Sequence, residues 1–447
     1  MEDHVTFTSY ILAAGHGKRL NSALAKPLHP IGGKAMLGWV IDTAMMAGAN
    51  HLCVATNPAN HQVTDFTKKH YPDMAIAYQD PPQGTGHAAQ CALAEAGTAN
   101  QPVLVLFGDT PLITAETLQR LACAITDGAS LCVLGFEAAN PAGYGRLKTD
   151  QTGKLIAIIE DADANEADKA ITTVNAGVMA LSPDCAATYL PKLSNNNAQG
   201  EYYLTDLVAL ANDANETVRL VLADGNEVQG VNSRSDLALV EAALQQRLRH
   251  AAMAAGVTLT APETIFLSAD TQLSRDIVIE PHVVFQGRNH IGEGTLIRSF
   301  SHIEGAVIGD RAVIGPYARL RPGTELSDGV KIGNFVETKN AQFAKGAKAN
   351  HLSYIGDASV GEKANIGAGT ITCNYDGFDK FKTEIGKGAF IGSNTALVAP
   401  VTIGDGAIIG AGSTITKSVD HDDLALTRAP QRTLQQGGKA FRTRKGK

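Results

Sequence analysis

The chain has 447 residues, 44% of them apolar and 19% charged, with 45 glycines and a formal net charge of −7. That length suggests two or three domains with enough apolar sequence to bury real cores, so disorder is not the default state. The acidic balance argues against a general nucleic-acid or anionic-membrane surface, the glycines lack a collagen period, and six cysteines without CxxC spacing argue against a zinc cluster or disulfide framework.

From residue 10 to about residue 231, short runs of branched apolar residues alternate with segments of helical period. Residues 9–13, 52–55, 103–107 and 131–136 are predicted strands, with helices such as 34–47 and 87–96 between them. This alternation predicts an α/β domain with a mainly parallel sheet, which binds ligands beyond the carboxyl ends of its strands. The loops after Leu12 and Phe107 are therefore where chemistry is sought. In Leu12-Ala13-Ala14-Gly15-His16-Gly17-Lys18-Arg19-Leu20 the glycines let backbone N–H groups approach a phosphate, while Arg19 and Lys26 supply positive charge. Leu20 breaks the dinucleotide fingerprint and no Gly-Lys-Ser/Thr completes a Walker pattern, so an ordinary charged turn is the competing reading. Asp109, at the end of an apolar strand, is placed either to hold Mg2+ or to cap a helix.

Between residues 234 and 255, Leu237, Val240, Leu244 and Leu248 recur every three or four positions, which predicts a linking helix. Gly256 is its expected stop, since glycine tolerates the left-handed conformation required there. The predicted organisation is a first domain over 1–233, a linker helix over 234–255 and a second domain over 256–447.

In that last stretch Ile385, Ile391, Leu397, Ile403, Ile409 and Ile415 fall six residues apart, as do Ile308, Ile314, Leu320, Leu326 and Ile332. Twenty-two of the 45 glycines lie between Gly287 and Gly412. A six-residue apolar period fits neither a helix nor a hairpin sheet, and it predicts a parallel β-helix of stacked coils. The beat is lost between Thr338 and Tyr354 and again across 373–384, so those two interruptions are the places to seek function. His351 lies in the first. An isolated histidine is more often a surface or hydrogen-bonded structural residue, yet near neutral pH it is also the side chain best suited to accept a proton.

The 12–26 segment, Gln83-Gly84-Thr85-Gly86-His87-Ala88 and the 107–112 segment resemble the sugar-phosphate nucleotidyltransferases. Adding Gly143-Tyr144-Gly145-Arg146, Asn195-Asn196-Asn197-Ala198-Gln199-Gly200-Glu201-Tyr202-Tyr203, Gly230-Val231-Asn232 and the hexapeptide region narrows the match. Over nearly its whole length the chain is similar to the bacterial family of bifunctional N-acetylglucosamine-1-phosphate uridylyltransferase/glucosamine-1-phosphate acetyltransferases. The resemblance implies an α/β Rossmann-like nucleotidyltransferase domain, a linker helix and a left-handed parallel β-helix.

It further implies that Leu12, Ala13, Ala14, Gly15, Gln79, Gly84 and Thr85 hold the uridine nucleotide and that Lys26 meets phosphate. Asp109 and Asn232 would bind Mg2+, and Gly145, Glu160 and Asn175 the amino sugar. In the second half His351 would be the general base, with Arg321, Lys339, Tyr354 and Asn365 on the sugar phosphate. Asn374 and Tyr375 would lie beside the reacting group, and Ala368, Ser393, Ala411 and Arg428 would contact acetyl-CoA. Lys18, Pro27 and Asp161-Ala162 depart from the family pattern in the phosphate-binding region.

The implied substrates are glucosamine-1-phosphate, N-acetylglucosamine-1-phosphate, UTP and acetyl-CoA, and the implied assembly is a homotrimer through the β-helix. No spanning run and no leader pattern is present, so a cytoplasmic protein without membrane insertion or nucleic-acid partner is expected. Three rival readings are weighed at this point. One is a nucleotidyltransferase whose β-helix only oligomerises or regulates. A second is a non-enzymatic assembly protein, against which Lys26 and Asp109 speak. The third is a zinc hydratase with several of His282, His290, His302 and His351 on one metal, which no matching motif supports.

Overall fold

A computed structural model of the chain describes residues 4–15, 17–197 and 199–446. His16, Ala198 and the side chain of Lys18, all singled out in the sequence, lie outside the described part. Two units emerge, Met1–Leu244 and Gln245–Lys447.

At the centre of the first unit, strand Phe7–Leu12 is wholly buried between the parallel strands Ala49–Thr56 and Val103–Phe107. Its side chains alternate between two cores, Ile11 facing one and Tyr10 and Leu12 the other. Both faces are covered, by helices Met36–Met46 and Ala115–Thr126 on the first and Thr85–Ala96 and Leu207–Asp213 on the second. That is why the strands read as continuous apolar runs. Strand Ala75–Tyr78 extends the sheet on one side. On the other, Thr173–Leu181 runs antiparallel to Val103–Phe107 and Leu131–Glu137, and Val218–Leu222 closes the order. The loops after Leu12 and Phe107 leave the sheet side by side, with Gly108 N–H donating to Leu12 O at 3.0 Å.

Helix Arg234–Ala254 begins at a reciprocal cap. Ser233 Oγ accepts from Asp236 N–H at 3.1 Å, and Asp236 Oδ2 accepts from the N–H groups of Asn232 and Ser233 at 2.9 and 2.8 Å. It ends as expected at Gly256, with φ at +93° and Val257 N–H donating to Ala252 O at 3.1 Å. Gln245 fixes its second half to the start of the coil unit through a buried pair of bonds with Leu267 N–H and O, at 2.8 and 2.7 Å.

The second unit is a left-handed parallel β-helix with three faces, each coil laying one short strand on each face. Leu259, Ile279, Ile297, Ile314, Ile332, Ala349, Ile366, Ile391 and Ile409 stack in one inward column. Each fully buried Ile or Leu contributes roughly 1.5–3 kcal/mol relative to exposure, so the columns carry the fold.

The first expected interruption is not one. Leu320 pairs with Thr338, Thr338 with Ile355, and Leu326 with Phe343, so the coil through His351 continues in register. Thr338, Phe343 and Ala349 occupy the inward beat in place of aliphatic residues, and this coil advances 17 residues where its predecessor on the same column advances 18. The second interruption is real. Ile366 pairs with Ile391, 25 residues on, because residues 374–382 leave the coil as a loop.

Corners recur on one edge as residues with left-handed φ: His282, Phe300, Tyr317, Phe335 and Leu352. The first four stack ring on ring, with centroids 4.9, 4.9 and 5.2 Å apart, yet Phe300, Tyr317 and Phe335 are about half exposed. Among the described residues no helix is long and apolar enough to cross a membrane.

Close stacking of coils leaves no room at Gly333, where a β-carbon would stand 1.9 Å from Asn350 O in the coil above. Gly333→Ala is therefore expected to destabilise the coil unit by about 2 kcal/mol. The check is urea unfolding: circular dichroism should shift, while fluorescence of Trp39, the one tryptophan and a residue of the first unit, should not.

Candidate functional site

In the first unit the carboxyl ends of the strands open into a cleft of about 490 Å3. Leu12, Ala13, Ala14, Gly15, Lys26, Gln79, Gly84, Thr85, Asp109 and Asn232 all line it, together with Pro27, Phe107 and Glu201. Arg19 is exposed in the turn Lys18–Leu20 and does not line the cleft.

Asp109 is no helix cap. The following helix is capped by Thr114, whose hydroxyl accepts from Thr117 N–H at 3.2 Å. The Asp109 carboxylate instead takes the Lys26 ammonium, which also donates to Asn232 Oδ1 at 2.8 Å. Two hard oxygens, from residues far apart in the chain, thus aim at one positive centre. Val231 N–H donates to Asp109 O at 3.0 Å, which ties the two segments together.

Gly84 opens helix Thr85–Ala96 at a φ of +99°, where a β-carbon would meet Tyr202 O at 2.7 Å. Gln79, itself buried, holds that turn by donating to Gly84 O at 2.7 Å. Glu201 and Tyr202, from a signature segment to which no contact was assigned, form this wall. Tyr202 N–H donates to Gln83 O and Gly86 N–H to Tyr202 O, both at 2.8 Å.

Gly145, Glu160 and Asn175 lie together: a β-carbon on Gly145 would stand 3.6 Å from Asn175 Cβ and 3.7 Å from Glu160 Oε2. Asn175 N–H donates to Gly145 O at 2.8 Å, and Glu160 takes Thr205 Oγ1 at 3.2 Å. Burial raises the Glu160 pKa, against the Thr205 hydrogen bond, and nearby Asp163, Asp206 and Asp161 add to the rise. Of the departures, Pro27 is buried in the turn Lys26–Leu28, and Asp161 pairs with the buried Arg146 at 2.9 Å, which lowers its pKa.

In the β-helix, parallel register builds a second arrangement. Asn334 pairs with His351, and carrying the ladder two residues past Ala349, Ile366, Ile391 and Ile409 places His351, Ala368, Ser393 and Ala411 in one column along an edge. Arg428 ends it by donating to Ala411 O at 2.9 Å. His351 is exposed, and its Nδ1 lies 2.8 Å from Asn334 Oδ1. An amide oxygen only accepts, so Nδ1 carries the proton and the Nε2 lone pair is left for a substrate.

Arg321, Lys339 and Tyr354 share the adjoining face. Arg321 pairs with Glu337 at 2.8 Å, which raises its pKa. Lys380, which the sequence did not single out, lies against Lys339, and that contact lowers its pKa. It was missed because the loop carrying it folds back only in three dimensions. Asn374 gives its amide to Asp357, and Tyr375 its hydroxyl to Gly377 O at 2.6 Å. These two sit at the far edge of the face from His351. Asn365 is not brought to Arg321, Lys339 and Tyr354; it lies on a different face, paired with Lys348 and Phe390. Among the described residues no three His, Cys, Asp or Glu side chains converge as a metal site.

Comparison with known proteins agrees with both halves. Residues 9–173 match the MobA-like NTP transferase domain, and residues 382–417 the bacterial transferase hexapeptide repeats. The bifunctional protein GlmU of Bradyrhizobium sp. (strain ORS 278) is 52% identical over 97% of each chain. That of Xanthobacter autotrophicus is 52% identical over 98% of this chain and 97% of its own, and that of Zymomonas mobilis 46% identical over the whole of both.

The raised Glu160 pKa sets a pH test. Such a group contributes stability below its unfolded value, near 4.5, and loses it as pH rises through the folded value. Glu160→Gln should therefore raise the melting temperature at neutral pH, and the difference should shrink as pH falls toward the ordinary glutamate range.

Proposed function

Since this chain belongs to the bifunctional GlmU family, we propose that its two reactions run at the Lys26–Asp109–Asn232 cleft and along the His351 edge. Its first half is a uridylyltransferase and its second an acetyltransferase. The observation that carries the assignment of the first site is the convergence of Asp109 and Asn232 oxygens on a single cation.

Uncharged and anionic oxygens at one point suit Mg2+, which takes one or two carboxylates and fills its shell with water and substrate phosphates. Asp109 and Asn232 are the residues that would hold it. Held there, Mg2+ would supply positive charge to the triphosphate and to the departing pyrophosphate. Leu12–Gly15, Gly84 and Thr85 seat the uridine nucleotide, and Lys26 offsets phosphate charge. Gly145, Glu160 and Asn175 orient N-acetylglucosamine-1-phosphate. A phosphate oxygen of that sugar attacks the UTP α-phosphorus in line, the bond to the bridging oxygen breaks, and no protein nucleophile is needed.

At the second site the Nε2 of His351 accepts a proton from the amine of glucosamine-1-phosphate. The freed nitrogen attacks the acetyl-CoA thioester, and CoA leaves as the thiol after taking up a proton. Arg321, Lys339, Tyr354 and Asn365 are the sugar-phosphate residues, with Asn374 and Tyr375 beside the acyl group and Ala368, Ser393, Ala411 and Arg428 along the cofactor. Lys380 beside Lys339 gives the phosphate a second ammonium.

Because Asn365 and the other phosphate residues occupy different faces of one coil stack, a neighbouring copy is needed to complete the site, and we take the assembly to be a homotrimer. The exposed aromatic edge is its proposed contact. The six cysteines are free thiols, which suits the cytoplasm.

Asp109→Ala should cut uridylyl transfer by at least about 100-fold and spare acetyl transfer. His351→Ala should do the reverse, by about 100-fold or more. Assays with glucosamine-1-phosphate, acetyl-CoA, UTP and Mg2+, each omitted in turn, separate the steps; equal loss of both activities in either variant would sink the two-site reading. Phe335→Asn keeps a residue that tolerates left-handed φ, so it should leave the coil folded and shift sedimentation from trimer to monomer.

A further inference from the structure

We infer that the Lys26 ammonium is an internal stand-in cation, closing the metal position until nucleotide phosphates draw it away. This rests on the assignment of Asp109 and Asn232 as metal ligands made above.

Lys26 Nζ contacts both proposed ligands at once, in a salt bridge with Asp109 and at 2.8 Å from Asn232 Oδ1. The Lys26 and Asp109 side chains are only 13% and 21% exposed, so water and salt screen the pair far less than a surface bridge. A divalent cation cannot share these oxygens with an ammonium. Arriving alone, it must break both contacts and leave Lys26 without its carboxylate in a largely shielded cleft. Arriving with a triphosphate, it brings the anion that Lys26 needs, because the same cleft is lined by Lys26, Asp109 and the nucleotide-binding turns.

The local backbone suits such an exchange. Pro27 is buried in the turn Lys26–Leu28, so the main chain is anchored while the four-carbon stem of Lys26 can swing. Asp109 and Asn232 are tied through the Val231–Asp109 bond and need not move. Phosphate binding at Lys26 and metal binding at Asp109 are then coupled, and the coupling is reciprocal. The site ignores free divalent cations and takes the metal with its nucleotide.

The test is a titration of the full-length protein with Mn2+ alone, read by electron paramagnetic resonance, in the wild type, Lys26→Met and Lys26→Gln. Removing the ammonium should tighten Mn2+ binding about tenfold or more. With UTP present the order should invert, because the variants lack the phosphate partner. Equal affinity of wild type and both variants for Mn2+ alone overturns the gate while leaving the metal assignment standing. Adding Asp109→Asn to Lys26→Met should abolish the tightened binding; if it does not, the metal assignment itself fails, and the gate with it.

Discussion

Parallel register is the constraint on which both halves of this protein depend. In a parallel ladder each residue is placed by its counterpart in the strand beneath, since the backbone bonds and the inward side chains repeat together. In the β-helix this turns residues 17, 25 and 18 positions apart into neighbours, so that His351, Ala368, Ser393 and Ala411 form a single line. In the first unit the same rule ends Phe7–Leu12 and Val103–Phe107 at one level, which brings the glycine turn and Asp109 together.

The two sites handle anions by opposite means. In the cleft the cation Lys26 is already matched to a carboxylate, which on the proposed function it would exchange for phosphate. On the coil, Arg321 is matched to Glu337, whereas Lys339 and Lys380 crowd one another and Lys380 is harder to protonate for it. On the proposed function, a dianionic phosphate would relieve that repulsion. Glu160 is a third case, a carboxylate whose burial disfavours its charged form.

Much of this was legible in the sequence because periodicity is a local signal. The six-residue beat, the strands about residues 9 and 103 and the stop at Gly256 each follow from neighbours in the chain. The stretch around His351 was misread for the converse reason. Thr338, Phe343 and Ala349 keep the inward beat without being Ile, Leu or Val, and only the pairing of coils reveals that the column is unbroken. The choice between ligand and helix cap at Asp109 needed Thr114 to be seen in the capping role. The Lys26 bridge, the Lys339–Lys380 contact and the separation of Asn365 from Arg321 are properties of space and leave no mark on spacing.

The coil that advances 25 residues leaves its neighbours undisturbed, since Ile391 sits over Ile366 and Ile409 over Ile391 as though nothing had been added. A prism edge therefore behaves as a socket: chain can be let out there without changing the alignment of anything above or below. An edge of this scaffold can thus carry added chain while the load of holding the molecule together stays with aliphatic columns buried inside the coil.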